Sequence, residues 1–122
     1  MEIKDKKLAK MVSTSGSNVL ISRIATYPEE EWDREEYPTE TALVLNIAEE
    51  VMEDYADDGH ALHEELWWAK KVDRERNRFL ANIHTMQMRP MHSAKDIESA
   101  DAVIAEYNAT RAIIKKLRRT MK

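Results

Sequence analysis

The stretch Glu35-Glu-Tyr-Pro-Thr-Glu-Thr-Ala-Leu-Val-Leu-Asn-Ile-Ala-Glu-Glu-Val-Met-Glu-Asp-Tyr-Ala-Asp-Asp-Gly-His-Ala-Leu-His-Glu-Glu-Leu-Trp-Trp-Ala69 decides both fold class and surface charge. It carries eleven carboxylates and no Lys or Arg. Val44, Ile47, Ala48, Val51 and Tyr55 recur at helical spacing, and Leu43, Leu45 and Met52 widen that stripe. Thr39 is a good N-cap, and Glu40 suits the positive end of a helix dipole. The spacing predicts a helix over about 40–57, with Gly59 supplying a left-handed stop. The acidic residues then fall mostly on the side away from the apolar stripe.

Charge reverses on either side of a short boundary. Residues 70–122 hold thirteen Lys or Arg against six Asp or Glu, while residues 1–34 balance at six of each. The formal net charge of −4 therefore conceals a polarised chain. With 122 residues, two Gly, three Pro and 43% apolar residues, one mainly α domain is expected. Within it, residues 1–38 read as an appendage and acidic connector, and residues 39–122 as the helical body. The absence of Cys excludes a disulfide framework and thiolate chemistry. The charged start of the chain is unlike a signal peptide, and no apolar run is long enough to span a bilayer, so a cytoplasmic protein is expected.

Downstream, a second helix is expected over about 60–88. Leu62, Leu66, Ala69 and Val72 form one apolar stretch, and Phe79, Leu80, Ile83 and Met86 another. The polar segment 70–78 between them either crosses solvent or lays its aliphatic stems on a neighbour. Adjacent Trp67 and Trp68 point in different directions, so one is exposed unless the helix has neighbours on two sides. A third helix is expected over about 94–120. Ser93 and Asp96 form an acidic capping box, and Ala100, Val103, Tyr107, Thr110, Ile114, Leu117 and Met121 make a heptad-like seam. That seam is long for one domain and suggests a homodimer. Upstream, residues 8–13 and 19–26 flank a Ser/Thr/Gly cluster. They read either as a β-hairpin, which the β-branched residues favour slightly, or as two short helices.

Three functions fit these features. The first is a non-enzymatic protein-binding factor, an inhibitor or adaptor of the kind that phage and mobile elements encode. It would present Glu49, Glu50, Glu53, Asp54, Asp57, Asp58, Glu64 and Glu65, with Trp32 and Trp67, to a basic, nucleic-acid-handling protein. Direct nucleic-acid binding is not expected, because no aromatic residues are interleaved with the C-terminal cations. The second rests on Glu49-Glu50-x-x-Glu53 followed by Glu98-x-x-Asp101, which resembles the motif pair of the all-α nucleoside triphosphate pyrophosphohydrolases. The resemblance implies Mg²⁺ held by Glu49, Glu50, Glu53, Glu98 and Asp101 over nucleotide phosphates. The third is a structural subunit of a helical assembly. Asp57, His60, His63 and Glu64 form a further cluster in which the histidines, three apart, could converge on a metal, although surface histidines at a helix start are the simpler expectation.

Overall fold

A computed structural model of the chain describes residues 1–83 and 91–121. Among the described residues there are five α-helices and no strand: α1 (Lys6–Ser13), α2 (Asn18–Thr26), α3 (Glu40–Ala56), α4 (Ala61–Asn82) and α5 (Ala94–Thr120). A single 3₁₀ turn, Glu29–Glu31, lies between α2 and α3. The three long helices are those expected. The end of the second expected helix, residues 84–88, lies outside the described residues.

The N-terminal hairpin is not formed; two short helices take its place, and the count of helices rises from three to five. Local hydrogen bonding explains the outcome. The Asp5 carboxylate accepts from the backbone N–H groups of Lys7 and Leu8 at 3.0 and 3.2 Å, starting α1. Gly16, at φ 83°, then reverses the chain in a conformation that side chains with a Cβ rarely adopt. Ser17 caps α2 by accepting from Leu20 N–H at 3.3 Å. Two further N–H groups of α2, those of Asn18 and Val19, donate to the Glu106 carboxylate of α5 at 3.1 and 3.3 Å. At the other end of α2, the Met1 ammonium donates to the carbonyls of Ile24, Ala25 and Tyr27 at 2.9–3.0 Å. Both ends of this nine-residue helix thus gain partners from distant sequence, which a propensity reading cannot see.

Residues read as an appendage supply Leu8, Val12, Leu20 and Ile24 to the principal core. There they join Leu43, Val44, Ile47 and Ala48 of α3 with Ile113, Ile114 and Leu117 of α5. A second cluster, Val51, Tyr55 and Leu66, continues the interior where α3 meets α4. A third is small: Ala69 and Val72 of α4 against Ala100 of α5, flanked by Trp68, Ile97, Val103 and Ile104. Beyond it, no described residue of α4 or of the first turn of α5 is fully buried.

Helix α5 runs antiparallel to both α3 and α4. Glu49 of α3 reaches Arg118, while Tyr55 meets the Tyr107 ring edge-on at 5.3 Å. On α4, Lys70 lies over Tyr107, and Arg76 bonds both oxygens of Asp101 at 2.9 Å. The polar segment 70–78 therefore lies along α5 and does not bridge solvent. Within the apolar seam of α5, Ala100, Thr110, Ile114 and Leu117 are buried in the chain's own core, Val103 and Tyr107 are partly buried, and Met121 is exposed. Thr39 and the Ser93–Asp96 capping box start α3 and α5 as their sequences imply. No helix among the described residues is long and apolar enough to cross a membrane.

Candidate functional site

The carboxylates of the middle segment divide by position on their helices. Residues 43, 44, 47, 48, 51 and 55 of α3 face the core, which turns Glu50, Glu53 and Asp57 outward along one exposed line. Glu50 accepts only an amide hydrogen from Asn46, at 3.3 Å, among its described contacts. Asp57 follows the last turn of α3 and accepts from Gly59 N–H at 2.9 Å, shaping the link to α4. Asp58 is 94% exposed and faces His63 Nε2 at 3.0 Å. Glu64 and Glu65, in the first turns of α4, are both exposed.

Two carboxylates meet cations of their own chain. Glu49 lies 3.4 Å from Arg118, an exposed pair of small worth. Asp54 is turned toward α2, with Arg23 at 2.5 Å and His60 Nε2 at 3.4 Å. No other carboxylate between residues 35 and 69 pairs with a Lys or Arg among the described residues. The arginines and lysines of 70–78 are engaged elsewhere or exposed: Arg76 binds Asp73 and Asp101, and Lys70 covers Tyr107. Glu50 and Asp57 are left to solvent, while Glu53 lines a groove with Arg111, Lys115 and Arg118 of α5 and forms no ion pair among the described residues.

The aromatics named with this face have different fates. Trp32 is half-buried; its indole N–H donates to the Tyr37 carbonyl at 2.7 Å and Arg34 stacks on its ring at 4.0 Å. It anchors the connector. Trp67 is 55% exposed, with Lys71 over its ring at 5.5 Å, whereas Trp68 packs on the third cluster. Beside Trp67 lies a groove of about 410 Å³ lined by Met52, Tyr55, Leu66, Lys70 and Tyr107. Burial, reinforced by Glu106 and Glu65, pushes the Tyr55 hydroxyl up to about 12, with Arg23 opposing. Sequence reasoning did not find this groove. Met52, which stands at the margin of its apolar stripe, is the one available hint.

The two carboxylate motifs of the Mg²⁺ reading do not come together. Glu53 sits at the level of Arg111 and Lys115 on α5. Asp101 is ten residues earlier on that helix, about 15 Å away at 1.5 Å per residue, and Glu98 is further still. Carboxylates sharing one Mg²⁺ must each approach to about 2 Å. Asp101 is instead bonded by Arg76. The histidine pair is similarly engaged: His60 Nδ1 accepts from Leu62 N–H at 3.1 Å, and His63 Nδ1 donates to the Tyr55 carbonyl at 2.9 Å. Among the described residues no three ligands converge on a metal position. No protein-family model, curated protein or solved structure matches the chain.

Proposed function

We propose that the protein is a non-catalytic binding factor, an inhibitor or adaptor, whose acidic face engages a basic surface on another protein. One observation carries the reading: of eleven carboxylates between residues 35 and 69, two meet a Lys or Arg among the described residues. Clustered like charges on one helix face repel, so an approaching basic surface relieves them while gaining its own Coulomb attraction. Glu50, Glu53 and Asp57 form the centre of this surface. Trp67, exposed beside the apolar groove, supplies the kind of aromatic anchor that concentrates binding energy.

The test is capture from nuclease-treated lysate by the protein and by its E50K/E53K variant, at low and high salt. A partner held by the unaltered protein at low salt, released by high salt and absent from the variant supports the reading. Capture that is equal for both proteins, or unchanged by salt, refutes it.

A further inference from the structure

Helix α4 presents an outward row that the proposed function uses only in part: His60, Glu64, Trp67, Lys71, Arg74 and Arg78. Their spacing alternates four and three, so they share one face of the helix. All but the half-buried His60 are exposed. The row is acidic at its beginning, aromatic in the middle and cationic at its end. Asp73 and Glu75, the two acids of the cationic half, are turned aside and bound to Arg76 and His92. Within one chain the two halves cannot meet, because a straight helix holds Glu64 and Arg74 about 15 Å apart.

We propose that this row pairs with the same row of a second copy of the chain, with the two α4 helices antiparallel. A two-fold axis level with residue 69, on the outward side of α4, places Glu64 against Arg74 of the partner subunit and Trp67 against Lys71 of the partner subunit. The arrangement repeats itself on the other side of the axis, as an isologous interface requires. The Lys71–Trp67 contact within one chain already brings this cation to this ring, and pairing offers each ring a second one. Parallel alignment would set Lys71 on Lys71 and Arg74 on Arg74, so charge selects the antiparallel form. A basic protein complements only the first half of the row and an anionic polymer only the second, whereas another copy complements both. The inference shares Trp67 with the proposed function, whereas Glu50 and Glu53, the carboxylates at the centre of that function, lie outside the row.

Sedimentation equilibrium on the intact protein at low and high salt tests this. At low salt the mass should approach twice that of the monomer with rising concentration, and fall back in high salt. E64R alone and R74E alone should each remain monomeric, and the double variant E64R/R74E should dimerise again because the pair is restored with its signs exchanged. Circular dichroism checks that these exposed substitutions keep the helices. Lys71→Ala gives a second disruption with good helix propensity, and E50K/E53K should dimerise like the unaltered protein. A monomer at every concentration, single variants that dimerise normally, or a double variant that stays monomeric each overturns the proposal. So does a monomer whose cationic half instead binds a single-stranded oligonucleotide at low salt.

Discussion

Replacing Thr110 by Val tests the hydroxyl relay that ties α2 to α5. Ser17 and Thr110 are both fully buried, and their hydroxyl oxygens stand 2.6 Å apart. Thr110 Oγ1 also donates to the Glu106 carbonyl at 3.0 Å, which uses its one hydrogen. Ser17 must then donate to Thr110 while accepting from Leu20 N–H. Val matches Thr in shape, so no cavity opens, but the Ser17 hydroxyl loses its acceptor inside the core. A stranded buried donor costs about 1–3 kcal/mol. For a chain of this length, about 2 kcal/mol lowers the melting temperature by roughly 6–10 °C. Ser17→Ala removes a helix cap, worth about 1 kcal/mol, yet leaves Thr110 bonded to Glu106. The double variant should therefore lose less stability than the two single losses together, because neither hydroxyl is then left unpaired. Thermal and urea melts followed by circular dichroism read all four proteins. A T110V melt indistinguishable from that of the unaltered protein, or strict additivity in the double variant, refutes the relay.

Glu106→Gln should destabilise by about 1–2 kcal/mol in urea, since one carbonyl oxygen replaces the charged carboxylate that holds two N–H groups of α2. Tyr55 ionises near 12 in the folded chain against 10.0 ordinarily, so its contribution is intact below pH 10 and is lost as pH rises toward 12. Urea melts at pH 8 and 11 should show a fall of at most about 1.4 kcal/mol that Tyr55→Phe reduces. Trp67→Ala should change stability by less than about 0.5 kcal/mol, whereas Trp68→Ala, which uncovers the third cluster, should cost more than 1 kcal/mol. Paired melts of the two variants check that contrast.

Helices α3 and α5 are legible because their signals are local: Thr39 before an apolar stripe, and Ser93 with Asp96 before another. The N-terminal segment is not, because its determinants are remote. Val19, Leu20, Ile21 and Ile24 suit a strand as well as a helix, and the choice is settled by Glu106, 87 residues beyond Val19. The same Ser/Thr/Gly cluster that reads as a hairpin turn places Ser17 as a helix cap. Carboxylate counts reveal the acidic segment, but they cannot separate Asp54, turned to Arg23, from Glu50, turned to solvent. Nor does composition tell Trp32, fixed by the Tyr37 carbonyl, from the free face of Trp67.

The interior thins steadily along α5, from large aliphatic side chains around Leu117 to two alanines and a valine at Val72 and Ala100. Amide protons in the last turns of α4 and the first turns of α5 should consequently exchange with solvent through small openings, at rates set by a fraction of the total unfolding free energy. Those around Leu20, Val44 and Leu117 should wait for the whole chain to come apart. The molecule loosens from one tip, like a zip with its stop at the other end.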